Sequence, residues 1–498
     1  MDAPASSSGA AGFANDVPRG AEGGARVEPP PARPSSRWLA TAFAIVAAVF
    51  GTAFAVVTPP FQTPDEYNHY YRAFQVSEGR FVAESELGVA SGETEPRLLV
   101  GGRVPASLSA TTDAVSHDLY FHPERKQRIA DVVASFRFRL RARHRVFATF
   151  PNTALYSPVG YLPQSLAMAI ARRLRPPPIA LLYVGRLASL AAWIAIATAA
   201  IALAPLQRGA LFLIALAPMS IFVAASVSSD GFVNATALLF VALVVRASVR
   251  DGVGRAGAAA LAVTPALLAL AKTAYAPLAL LLLAIPDGRL GSRARRRVIA
   301  AAGIALTAAA VVGWTALTRH LVVPLNPTVP GGTQVPAEQL RFMAAHPGSF
   351  LAACLRATRA YADAWLHQMV GILGWLDTPL PDAVVVAELG ALVVAALVDG
   401  TDASVSLPAR TRAVAVVVWV LGVLAVMAGI YVTWTPVAGR FVDGVQGRHL
   451  LPLAPVAVLT VQNPWLRVSE RRLATALVAF AIAVDLIALA VVVRRYYV

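Results

Sequence analysis

An acidic pair, Asp65 and Glu66, follows the proline-rich run TPPFQTP (residues 58–64) and opens the aromatic stretch YNHYYRAF. At helical spacing Asp65 and His69 stand four residues apart and Arg72 three further on, which sets a base, an imidazole and a cation on one face. Such a face can deprotonate a hydroxyl or hold an anion, and Asp65 with His69 offers two ligands to a divalent metal. Pro64 suits the first turn of the helix that these residues require. The plainer alternative is an interfacial helix whose Tyr67, Tyr70, Tyr71 and Phe74 anchor at headgroup level.

Further charges sit at the ends of apolar runs: Arg186, Asp230, Lys272 and Arg448. Charge there is costly unless it is paired or faces a polar cavity. Only two of the 43 basic side chains are lysines, Lys126 and Lys272, so a lysine beside a membrane segment invites a chemical reason. Taken singly, Asp230 reads equally as a helix cap within SSDG, Lys272 as a snorkelling side chain and Arg448 as an interface anchor. Taken together, cations and carboxylates at one membrane face suit chemistry on a lipid-linked phosphate. The cations hold a phosphate leaving group and a carboxylate activates an acceptor.

The elements that position these residues are membrane helices. With 57% hydrophobic and 14% charged residues and a mean hydropathy of +0.61 over 498 positions, the chain reads as an all-α polytopic membrane protein. Its net charge of +15 comes largely from arginines in short loops between apolar runs, the pattern of topology determination and not of nucleic-acid binding. A single cysteine, Cys354, excludes an intrachain disulfide. Residues 1–36 read as a disordered cytoplasmic arm, and 37–498 as one transmembrane domain that includes a large loop at 58–155.

Apolar runs at 38–57, 181–204, 209–228, 232–248, 257–272, 275–286, 298–318, 383–398, 411–434, 449–463 and 473–493 predict about eleven transmembrane helices. The run DGRLGSRARRR (287–297) carries five arginines and marks the cytoplasmic side. Counting from it places the N-terminus in the cytoplasm, makes 58–155 a first extracytoplasmic loop, and leaves the segment 156–171 along the outer surface without a crossing. Asp65, Asp230, Lys272 and Arg448 then all fall at the outer face.

The PDE segment, YSPVGYLP leading to VGRLASL, SSD before a span, ALAKTAY, GILGWLDTPLP and GVQGRHLLPL together resemble a bacterial predicted-membrane-protein family related to the GT-C glycosyltransferases. More distantly they resemble the aminoarabinose and protein-mannosyl transferases. The resemblance runs from about residue 38 to the C-terminus. It implies a GT-C-like bundle in the cytoplasmic (inner) membrane of a bacterium, taking a sugar from a polyprenyl-phosphate donor. The catalytic carboxylate falls on Asp65 with Glu66 beside it. Lys272 matches the lysine that meets donor phosphate in the aminoarabinose-transferase relatives, Asp230 the acid at the outer end of an earlier span, and Arg186 the arginine opening the second span. Expected roles are therefore catalysis by Asp65 and Glu66, phosphate binding by Lys272, Arg448 and Arg186, and support from His69, Arg72 and Asp230. A non-catalytic carrier or flippase for lipid-linked glycans is the alternative, and membrane lipid is a partner in either case.

Overall fold

The computed structural model describes residues 34–89, 95–116, 119–325, 333–398, 406–461, 463, 466 and 468–498. The arm expected at 1–36 lies outside them up to residue 33, and a helix already runs from Pro34 to Val57. Most of the described chain is helical. Among the described residues six helices are long and apolar enough to cross a membrane: Trp38–Val57, Pro178–Leu203, Asp230–Val249, Arg293–Leu321, Ala409–Thr433 and Arg471–Tyr497. The protein is thus an all-α polytopic membrane protein in its dominant architecture.

Other apolar runs are shorter or broken, for identifiable reasons. The helix Arg255–Ala271 ends where Lys272 turns extended (φ −149°, ψ 114°), and Thr273–Ala284 continues as a 3₁₀ helix around Pro277. Proline removes an N–H and crowds the preceding turn, which disfavours α-helical bonding there. The run after Gln207 breaks at Ala217, which is extended ahead of Pro218. Two apolar clusters hold the bundle. One joins Phe43, Phe54, Trp193, Phe212 and Phe222, and the other Phe240, Leu268, Leu281, Val418 and Leu453.

The described residues of 58–155 form a small layer of their own at one end of the bundle. The helix Glu66–Ser77 packs under an antiparallel sheet of β1 (Glu84–Gly88), β2 (Arg97–Pro105) and β3 (Arg145–Thr149), which hydropathy alone did not predict. Short helices cover it at Ala106–Ser116 and Ile129–Ser135. The segment 156–171 supplies a ten-residue helix, Leu162–Ala171, with exposed Leu162, Leu166 and Ile170. This helix is flanked directly by the 3₁₀ turns Pro158–Tyr161 and Arg172–Leu174, and Pro158 and Pro163 break the first half of the segment. The same end of the bundle carries a hairpin of β4 (Ile372–Leu373) and β5 (Thr378–Pro379), and the last turn of the helix Glu470–Tyr497. Arg495 is paired there with Asp377 at 2.6 Å, and Lys126 donates to the carbonyls of Arg494 and Arg495.

Candidate functional site: a two-faced cavity at one end of the bundle

A cavity of about 440 Å³ opens between these layers. Its polar side carries Asp65, His69, Asp230, Lys272, Arg448 and His449. Its apolar side is the end of the Ala409–Thr433 helix, with Val426, Gly429, Ile430 and Thr433.

Asp65 stands at the start of the Glu66–Ser77 helix in a left-handed conformation (φ 60°). Its carboxylate therefore leaves the helical face expected for it and meets the far end of the chain. Arg448 Nη2 donates to Asp65 Oδ2 at 2.6 Å, Arg448 Nη1 to the Pro64 carbonyl at 3.3 Å, and Asn152 Nδ2 to Asp65 Oδ1 at 2.9 Å. The two charged side chains are 8% (Arg448) and 27% (Asp65) exposed, so the pair is open only toward the cavity. Gly447 fixes the position of Arg448. A Cβ at Gly447 would overlap the Trp365 carbonyl and the Met369 amide of the Pro347–Val370 helix, a close approach only glycine allows.

The second pair is Lys272 with Asp230. Because Lys272 is the single extended residue between two helical pieces, its side chain turns out of both, and its Nζ lies 5.0 Å from the centre of the Tyr156 ring. Asp230 opens its helix, where the macrodipole favours an anion, and its N–H donates to Ser228 Oγ at 3.1 Å. His69 reaches the second pair through Ser228. Its Nδ1 lies 2.7 Å from the Tyr161 hydroxyl and its Nε2 3.1 Å from Ser228 Oγ.

Burial pulls the His69 pKa down to about 4, against the raising influence of Asp230 and Asp65, so the imidazole is neutral near pH 7. For Asp65 burial pushes the carboxyl up, but the charge and hydrogen bond of Arg448 outweigh it and leave the group below its ordinary range. A neutral imidazole bridging two hydroxyls, beside two ionised carboxylates each held by a cation, gives a site that is nearly charge-balanced before any ligand enters.

Glu66, Arg186 and Arg72 do not line this cavity. Glu66 and Arg186 are both fully buried and bonded to each other, Nε to Oε1 at 2.8 Å and Nη2 to Oε2 at 2.5 Å. Glu66 also accepts from the backbone N–H of Phe61 and Val227, and Arg186 donates to the carbonyls of Ala55, Thr58 and Pro59. These carbonyls lie at and just beyond the end of the first helix, so Arg186 acts as its C-terminal cap and holds no cavity ligand here. Arg72 likewise spends its N–H groups on Gln75 and the carbonyls of Phe81 and Tyr156. A divalent metal at Asp65 and His69, for which the sequence offers two ligands, would have to displace protein partners. Both Asp65 oxygens and both His69 nitrogens have protein partners, and among the described residues no three His, Cys, Asp or Glu gather as ligands.

Sequence reasoning missed Asn152, Tyr156, Tyr161 and Ser228 as partners of the charged groups. The signal for the tyrosines was their place in YSPVGYLP; Asn152, in the four-residue helix Pro151–Ala154 before that segment, carried none.

The chain belongs to the family described as predicted membrane protein (DUF2142), whose model matches residues 48–457, a span that takes in all the charged residues of the cavity. No curated protein and no solved structure matches the chain.

Proposed function

We propose that this member of the predicted-membrane-protein family is a GT-C-like membrane glycosyltransferase, moving a sugar from a polyprenyl-phosphate donor to an acceptor at the outer face of a bacterial cytoplasmic membrane. One observation carries the reading: the pairs Arg448–Asp65 and Lys272–Asp230 share a cavity with the apolar end of a membrane helix. A lipid phosphate needs both surfaces at once, cations for its head and an apolar wall for its chain.

In the mechanism, the donor phosphate enters between Lys272 and Arg448 and competes with the carboxylates for them. Loosened from Arg448, Asp65 accepts the proton of the acceptor hydroxyl as its oxygen attacks the anomeric carbon. The bond from that carbon to the phosphate oxygen breaks, its electron pair stays on the phosphate, and Lys272 and Arg448 hold the charge. Attack opposite the leaving group inverts the anomeric centre. Asp230 keeps Lys272 aimed at the cavity, while Glu66, Arg186 and Arg72 serve as scaffold.

Eleven traverses belong to this reading. Beside the six long helices, the pieces at 208–224, Arg255–Ala271, Thr273–Ala284, Asp382–Val398 and 447–458 each reach roughly 20–25 Å. Their ends support it. Gln207 meets the Ala396 carbonyl and Thr411 the Ala284 carbonyl, whereas Asp230, Lys272, Thr433 and Arg448 meet at the cavity. With the arginines of 287–297 in the cytoplasm, the cavity and residues 58–155 face outward.

A carrier or flippase for lipid-linked glycans draws on a different observation, that both cavity carboxylates are engaged by cations. Purified protein in liposomes, given polyprenyl-phosphate-linked labelled hexose and a cell-envelope fraction, separates the two. Transfer releases polyprenyl phosphate, moves label to the envelope fraction and stops in Asp65→Asn. Label that crosses the bilayer with its donor intact selects the carrier.

A further inference from the structure

The third wall of the cavity is aromatic and comes from outside the membrane helices. Trp375 and Leu376 form the tip of the β4–β5 hairpin, and Phe121 lies beside them. The indole is held from several sides. Tyr67 stacks on it at 5.9 Å between ring centres with 19° between planes, and Tyr120 and Phe121 meet it edge-on at 4.9 and 5.4 Å. Its Nε1–H donates to the Phe61 carbonyl at 3.2 Å. Its backbone N–H is tied to Asp377 Oδ1 at 3.1 Å, and Arg495 anchors that aspartate.

Its two apolar neighbours are uncovered. Phe121 is 70% and Leu376 40% exposed, and both hold left-handed backbone conformations (φ 57° and 65°). Bulky residues rarely adopt that conformation, and such strain concentrates where a ligand is clamped. Gly374 (φ 63°) permits the turn, since a side chain there would run into Asp377, Thr378 and Tyr496. Asn152, whose amide nitrogen holds Asp65, lines the same cavity. A flat apolar ring in one cavity with Asp65, Asp230 and the Asn152 amide matches a molecule with a C–H face and hydroxyl edges.

We propose that Trp375, with Phe121 and Leu376, is a saccharide subsite: a pyranose ring lies with its C–H face on this shelf and its hydroxyl edge toward Asp65. The isoprenoid chain runs along the opposite wall, at Val426 and Ile430. The subsite deepens the glycosyl-transfer reading and rests on it only for the identity of the sugar-bearing ligand.

The test has two arms. Saturation-transfer NMR on the detergent-solubilised protein, with methyl hexopyranosides as probes, should show contact at ring C–H protons in the wild type, loss in Trp375→Ala and retention in Trp375→Phe. In the second arm, a polyprenyl-phosphate hexose should bind Trp375→Ala about five- to tenfold more weakly, with polyprenyl phosphate alone unaffected. Absence of saccharide contact in the wild type overturns the shelf, as does equal loss for both lipids, which would make the ring part of the isoprenoid wall. Failure of the wild type to bind any polyprenyl phosphate, with saccharide contact intact, overturns the donor reading and leaves the shelf standing.

Discussion

Adjacent carboxylates, Asp65 and Glu66, should respond to the same isosteric change in opposite ways. Glu66→Gln removes the only carboxylate among the described residues that is bonded to Arg186, a side chain with no exposure whose remaining partners are neutral carbonyls and the Tyr183 ring. It also sets an amide nitrogen against one of the two oxygen positions that now receive N–H donors from Arg186, Phe61 and Val227. Removing one partner of a buried ion pair costs about 3–5 kcal/mol, or roughly two to three and a half decades in the folded population. Asp65→Asn keeps the acceptor toward Asn152, and the Arg448 it releases can turn to water in the cavity, so its cost is a fraction of that. Thermal unfolding of the purified protein, followed by tryptophan emission, should show a large fall in apparent Tm for Glu66→Gln and a small one for Asp65→Asn. Transfer activity should show the reverse when each variant is assayed well below its own Tm. A Glu66→Gln protein that melts with the wild type but has lost transfer would refute the assignment of Glu66 to the scaffold.

Lys272→Ala should weaken binding of a polyprenyl monophosphate tenfold or more, read by titration, while Asp65→Asn, which frees Arg448, binds it at least as tightly as the wild type and loses the transfer step. His69 has a folded pKa of about 4 against 6.5 unperturbed, so between these values the unfolded chain binds more protons. Its contribution to stability is therefore complete above about pH 6.5 and is lost on acidification toward pH 4. The Tm-against-pH curve of His69→Gln should accordingly be flatter than the wild-type curve across that window. For topology, single cysteines at the exposed positions Arg139 and Ala294, in a Cys354→Ser background, should be respectively labelled and unlabelled by an impermeant maleimide on intact cells. Labelling at position 294 would invert the orientation.

The parts of the site legible in the sequence were those where charge is expensive. Asp230, Lys272 and Arg448 stand out because each borders an apolar run, and bilayer energetics makes an unpaired charge there improbable. Periodicity also marked the helix that follows Asp65. It could not say which way Asp65 and Glu66 point, because that depends on one left-handed φ that Asp65 adopts and on an arginine 120 residues away. That Arg186 and Arg72 lie away from the cavity was not legible for a related reason. A buried guanidinium that satisfies backbone carbonyls and one that meets a ligand look alike in a sequence. The small β-sheet went unseen because short strands within a polar stretch of nearly a hundred residues carry too little alternation to stand above turns.

The contact between Arg448 and Asp65 joins residues 383 positions apart, and that separation imposes a timetable on assembly. At about 5–20 residues per second, Arg448 is polymerised roughly 20–80 s after Asp65, whereas Lys272 follows Asp230 within about 10 s. One half of the charge balance is thus complete early in insertion, while the other waits for nearly the whole chain. During that interval Asp65 lacks its cation, and Asn152 is the earliest of its partners to arrive. A chain stopped anywhere between residues 273 and 447 would hold the lysine pair but leave the aspartate exposed to water or protonated. Truncated forms should for this reason be recognised and degraded as incomplete, even where every helix they contain is inserted correctly.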